Sequence, residues 1–440
     1  MDEKATACRV LSIFVDDLHS LLAPYLYDII QTLVPLLNSS PFQDIQIACL
    51  ATMPEILVAI ANTITTVEGV NLYRQNFLFL VDNLLKFVTE ETELEMLVPA
   101  YQTLDFCLKR SVLVRETPIS VLEANEVKHI ITIMKEALHN SFENRAIRSA
   151  NIEFADLDEE EVEEYKEIEN DENKANFWIA EIIGELLNCH GNYALPCVDS
   201  LMLADLIELA DASRTAGDRV VAIHIMVKII EYCGKAAFGY YSQFIPIFIR
   251  EIHCYDATIR EEVLQGLSAA IREGKDIMCE VASKCIKEIE STIDDPVSKE
   301  ACYLTSNLLG IKVIGECCCY LGNYVLLLHD HFVYWLNHLP IQNEEQINNS
   351  CMELVCELLE RGEVQFIGET SQNMQRIVHV LCESIGVSSD TNLVNRMIRL
   401  VKNIEMQYCN TDLMMTVWSL LGEEKSAVIK EKLNSLQMLI

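Results

Sequence analysis

A pair of apolar helices that returns roughly every forty to fifty residues constrains this chain more than any other feature. The clearest copy is AAFGYYSQFIPIFIREIHCYDATIREEVLQGLSAAIREG, residues 236–274. In its first half Phe244, Phe248 and Ile252 fall on one stripe. Pro246 lacks the N–H that an interior turn requires, so a kink is expected there. The second half opens at Asp256, an acid placed to accept from the free N–H groups of a helix start. From there Ile259, Val263, Leu267 and Ile271 recur every four residues as an amphipathic stripe. Neither helix can bury its face alone, so such pairs must stack on one another. The expected class is all-α, and such a surface holds other proteins more readily than it performs chemistry.

Composition agrees. In 440 residues there are 15 Gly and 10 Pro, too few for the turns of an all-β fold. The chain opens on a helix from Lys4 to about Leu18, with Val10, Phe14 and Leu18 at four-residue spacing and no first helix before it. Two pairs follow, then a longer loop from Val112 to Leu122. Later second helices are expected near Asp218, Asp256, Ser298 and Asn343, at intervals of 38, 42 and 45 residues. These intervals place the chain among α-solenoids of HEAT/armadillo-type helical repeats. The expected organisation is a single superhelix over residues 1–440 with about eight helix pairs, closed by a more charged capping segment at 411–440.

One stretch breaks the pattern. Residues 156–172 hold eleven acids and one base, Lys166. Like charges at this density resist packing, which predicts an exposed, mobile insertion loop. Its acids Asp156, Asp158, Glu159, Glu160, Glu161, Glu163, Glu164, Glu167, Glu169, Asp171 and Glu172 are the candidate contacts for a basic partner. The whole chain carries a net charge of −34, which repels nucleic acid and anionic membranes and favours basic proteins. No uncharged apolar run of membrane-spanning length and no signal peptide are seen, so a soluble, unsecreted chain is expected. Its 17 Cys are scattered along helical stripes with no C-x-x-C spacing, as reduced core thiols would be.

Catalytic signatures are missing. Gly234-Lys235 and Gly274-Lys275 lack both the upstream Gly and the following Ser or Thr of a phosphate loop. Ser268 lacks the second Gly of a nucleophile elbow. The run Cys317-Cys318-Cys319 continues a stripe through Leu304, Leu308, Ile311 and Ile314, which is core packing and poor metal geometry. His329 and His331 have no second ligand pair and are expected to cap and face solvent. Trp178, Trp335 and Trp418 are expected as core fillers between repeats. No enzyme activity, metal or cofactor is expected.

The order of parts resembles an importin-β (karyopherin-β) superfamily receptor. The likeness runs through EKATACRVLSIFVDDL, LVPLL with ATMPEILVA, DRVVAIHIMVKIIEYCGKAAFGYYSQF and FVYWLNHLPIQNEEQ, and it points to the C-terminal half of the importin-five-like branch. The resemblance implies a nuclear transport receptor, or a fragment of one, that shuttles between cytoplasm and nucleus. It implies basic protein cargo such as ribosomal proteins and histones, weak contacts with Phe-Gly nucleoporins, and Ran with GTP bound mainly by an N-terminal half that these residues lack. The alternative is a HEAT-repeat scaffold of a phosphatase, coat or chromatin assembly.

Overall fold

The computed structural model describes residues 2–64, 66–113, 118–153, 159–408 and 412–435, and is almost entirely helical. It is an all-α solenoid of stacked helix pairs that divides into two compact units between Cys233 and Gly234.

In the first unit the helices are α1 (Asp2–Leu18), α2 (Leu26–Ser39), α3 (Gln43–Ala61), α4 (Val67–Glu90) and α5 (Leu94–Leu108). A short antiparallel hairpin, β1 (Val112–Leu113) and β2 (Ile119–Ser120), then leads to α6 (Ala124–Glu153), α7 (Glu159–Leu209) and α8 (Ala216–Cys233). The second helices of the pairs form a row, with α3 against α1 and α5, α5 against α7, and α7 against α8. Helix α3 is apolar and long enough to match a membrane span in composition, yet most of its residues are buried in this stack. The stripe Val10, Phe14 and Leu18 of α1 points outward; Ala5, Cys8 and Val15 are the residues it buries.

Helix α7 serves two repeats. At His190 the backbone leaves the helical region (φ −135°, ψ 32°) and bends. His190 is buried against the hairpin, its Nε2 2.7 Å from Ser111 Oγ and its Nδ1 3.2 Å from Ser120 Oγ. Ser120 spends its hydroxyl proton on the Leu122 carbonyl, so it accepts from Nδ1–H while Ser111 donates to Nε2. Burial pushes the His190 pKa down, which keeps this neutral tautomer in place.

The second unit comprises α9 (Tyr241–Glu251), α10 (Ala257–Glu273), α11 (Lys275–Met278), α12 (Ala282–Asp294), α13 (Leu304–Leu321), α14 (Leu328–Asn337), α15 (Glu345–Arg361), α16 (Val364–Ile367), α17 (Met374–Val387), α18 (Thr391–Gln407), α19 (Leu413–Leu421) and α20 (Glu423–Ser435). Its second-helix row is α10, α13, α15 and α18. Phe244, Phe248 and Ile252 of the first half of the signature repeat are buried, as are Ile259, Val263, Leu267 and Ile271 of α10. Asp256 caps α10 by accepting from the Thr258 and Ile259 amides, and Asp390 caps α18 from Asn392 and Leu393 in the same way. The helix expected at Ser298 starts later, at Leu304. Two 3-10 turns come first, the earlier one capped by Asp295.

Cys317, Cys318 and Cys319 are buried, and burial raises all three thiol pKa values. Among the described residues the cysteines are unpaired and no His, Cys, Asp and Glu group is placed to hold a metal. Two expectations need correction. His331 does not face solvent; it is buried with Nδ1 2.7 Å from Glu290 Oε1. Trp335 fills the core, but Trp178 and Trp418 are only half-buried.

Candidate partner-binding surface

The acidic stretch is not a loop over the residues described. From Glu159 onward it is the start of α7, because the helix that packs on α5 and α8 simply continues backward through it. Asp156 and Asp158 lie outside the described residues. Glu161, Glu163, Glu164, Glu167 and Glu169 are exposed, and Asp171 is half-exposed and paired with Lys174 at 2.8 Å. Glu172 is a correction: it is buried and ion-paired to both Arg145 and Arg148 of α6, so it cannot reach a partner. Arg145 also donates to Asp218 of α8 at 2.9 Å and to Asn173 at 2.9 Å. This buried cluster roots the acidic half of α7 between α6 and α8.

The stripe above that root is the candidate surface. Glu164, Glu167, Asp171, Lys174, Trp178, Glu181 and Glu185 follow one another at alternating spacings of three and four, which puts them along one side of α7. Where α7 joins the row, this side meets aromatic rings from its neighbours. Phe106 of α5 lies 6.1 Å from Trp178 edge to face, Trp178 lies 5.6 Å from Phe177, and Phe177 lies 5.3 Å from the His224 ring of α8. Phe106 is 40% exposed, Phe177 42% and Tyr232 of α8 40%, so ring surface is left uncovered. Toward α3 the surface continues as a cleft of about 450 Å³ between Ile47, Pro54 and Glu55 on one wall and Pro99, Gln102 and Phe106 on the other.

Carboxylates are set among the rings. Glu181 accepts from His224 at 2.6 Å and from Lys228 at 3.0 Å. Burial opposes its ionisation, but these two donors outweigh it and hold its pKa down at about 2. Burial likewise opposes the charge of Lys228, and Glu181 outweighs it, raising the ammonium pKa. Asp105 is fully buried; its pKa is raised by burial, against the pull of Lys109 at 2.7 Å. A surface with ring faces beside fixed negative charge takes cationic side chains on apolar stems.

Elsewhere in the unit, α6 and the part of α7 beyond His190 line a second groove of about 580 Å³. Leu138, Phe142, Met202 and Leu206 line it, and Lys135, His139, Glu143, Asp205 and Glu208 surround them.

Compared with solved structures, the chain matches the karyopherin Kap121p along nearly its whole length. A triple mutant of Kap121p aligns at a TM-score of 0.71 with 13% identity, covering 99% of this chain and 37% of that one. Kap121p bound to the SUMO protease Ulp1p aligns at 0.66 with 14% identity (91% and 37%), and Kap121p bound to RanGTP at 0.65 with 12% identity (92% and 37%). The fold is that of a karyopherin. The chain spans little more than a third of the length of these karyopherins, and no protein-family profile matches it. The acidic start of α7 was legible in sequence as a charge run. The ring row was not, because Phe106, Trp178 and His224 come from different repeats and meet only when the repeats stack, with Tyr232 joined through Lys228 and Glu181.

Proposed function

We propose that this chain is part of a nuclear transport receptor of the importin-β type, a binding protein and not an enzyme, that carries basic protein cargo. The observation behind this reading is the row of rings and carboxylates over α5, α7 and α8, continuous with the acidic stripe of α7, on a karyopherin fold. An extended basic segment such as a ribosomal-protein or histone tail would lie along it. Its cations would meet Glu164, Glu167 and Asp171, and its stems would cover Phe106, Trp178 and Tyr232. The groove between α6 and α7 has the apolar floor and polar rim that the Phe rings of Phe-Gly nucleoporins need; Kap121p has itself been crystallised with the nucleoporin Nup53p. Ran with GTP would be met mainly by repeats outside these residues, and the receptor would shuttle between cytoplasm and nucleus.

The test is a fluorescence-anisotropy titration with a labelled arginine- and lysine-rich peptide across a salt series. Trp178→Ala should weaken binding by about tenfold or more, as loss of a central aromatic anchor does. Glu164→Gln with Glu167→Gln should flatten the salt dependence, since fewer unscreened contacts remain. Unchanged affinity in both variants, with unchanged melting temperatures, would refute the assignment.

A further inference from the structure

The ring row is already occupied by cations, and they belong to the chain itself. Lys109 Nζ lies 5.1 Å from the centroid of the Phe106 ring and 2.7 Å from Asp105 Oδ2. Lys228 Nζ lies 5.6 Å from the centroid of the Tyr232 ring and 3.0 Å from Glu181 Oε1. Two lysines from different repeats therefore make the same pair of contacts, an ammonium held between an exposed aromatic face and a carboxylate. We propose that these are two subsites for cationic side chains, each filled in the free chain by a lysine of its own that an arginine of a bound segment displaces. The proposal rests on the cargo surface described above and concerns what that surface prefers.

Three observations carry it. Asp105 is fully buried, and the Lys109 ammonium is its one cationic contact among the described residues. Its site is built around a cation that sits on a flexible stem 42% exposed to solvent. Glu181 is shared between Lys228 and His224, so it keeps a partner when Lys228 leaves. Finally, an ammonium is a point charge and uses a ring face poorly, whereas a planar guanidinium stacks on the ring and can give the part-exposed Glu181 two parallel N–H donors; the fully buried Asp105 offers a newcomer its charge alone. An incoming arginine gains what the resident lysine does not.

The consequence is a gain of affinity on removing positive charge from the resident position. The experiment compares a labelled Arg-rich peptide with its Lys-substituted twin on the intact chain and on Lys109→Gln, Lys228→Gln and Lys86→Gln. Lys86 lies on α4 beside Glu90, so its variant makes the same charge change away from the rings. Lys109→Gln and Lys228→Gln should each tighten the Arg-rich peptide about fivefold, the size of one part-exposed cation–π and ion-pair contact. Lys86→Gln should stay within about twofold, the remainder of long-range charge alone. The Arg-rich peptide should bind more tightly than its twin to the unmodified chain. Lys109→Gln leaves Asp105 without its cation, so if its melting curve shows loss of folding, Lys228→Gln decides the matter. Weaker or unchanged binding by Lys228→Gln, while Trp178→Ala still weakens it, overturns the displacement proposal and leaves the cargo surface standing. Insensitivity to Trp178→Ala as well overturns both.

Discussion

In the first unit the second-helix row α3, α5, α7 and α8 ends in ring faces, with Phe106, Phe177, Trp178 and Tyr232 partly uncovered. In the second unit the row α10, α13, α15 and α18 ends in ion pairs. Arg396 grips Glu360 with two N–H bonds of 2.9 and 2.6 Å, Arg361 pairs with Glu357, and Arg272 and Lys312 approach Glu316 at 3.9 and 3.8 Å. Tyr320 faces Lys275 at 4.5 Å, much as Phe106 and Tyr232 face Lys109 and Lys228 in the first row. The repeat period is the same in both rows; what differs is how much binding free energy is left unspent. Exposed pairs such as Arg396–Glu360 and Arg361–Glu357, with no ring face beside them, contribute at most about 1 kcal/mol each. Uncovered ring area still returns about 25 cal/mol per Å² when something buries it. On the proposed reading the first row is the one that takes a partner.

The largest effect that would break this contrast lies at the root of α7. Arg145→Ala leaves Asp218 buried without its cation and Glu172 with Arg148 alone, and such a loss costs about 3–5 kcal/mol. Thermal melting should show it as a clear destabilisation, with basic-peptide binding falling alongside. A melting temperature within a degree of the parent would mean that the acidic half of α7 needs no such anchor.

A smaller effect separates the rows by sign. Glu181 in the first row has its pKa held below the usual glutamate value, at about 2. Its stabilisation is therefore fully present above the unfolded pKa, about 4.3, and is lost as pH falls toward 2. Glu181→Gln should cost about 1.5–3 kcal/mol near neutrality, the range for charged hydrogen bonds, and that cost should shrink steadily between pH 5 and 3. A pH-independent difference would show that the carboxylate charge is not what binds His224 and Lys228.

Glu316 in the second row runs the other way. Burial raises its pKa against the pull of Lys312, Ser268 and Arg272, so its contribution is favourable at low pH and is lost as pH rises through the folded value. Glu316→Gln should raise stability at pH 7 by up to about 1 kcal/mol, and the gain should vanish near pH 4. Destabilisation at pH 7 would mark Glu316 as a true ion-pair centre and erase this part of the contrast.

Much of this was written in the sequence wherever one helix decides the outcome. The stripe from Ile259 to Ile271, the Asp256 cap and the buried Cys317–Cys319 run follow from periodicity within a single segment, and the structure keeps them. Apart from the outward face of α1 and the late start of α13, the misreadings involve a neighbour. Charge density read residues 156–172 as a loop, but a helix already nucleated by packing at Ala175 and Ile179 extends through like charges at little cost. Glu172 looked like its ten fellow acids until Arg145 and Arg148 of the previous helix were brought beside it. Likewise Trp178 and His331 had no visible partners in one dimension, since Phe106 and Glu290 are 72 and 41 residues away.

That α7 runs unbroken from its acidic start to His190 gives the surface a fixed length. Glu164 and Trp178 are fourteen residues apart on one stripe, about 21 Å along a helix rising 1.5 Å per residue. A fully extended polypeptide covers that span with about six or seven residues. On the proposed reading the helix acts as a ruler: a basic segment shorter than this would touch the carboxylates or the rings, and only a longer one would engage both at once.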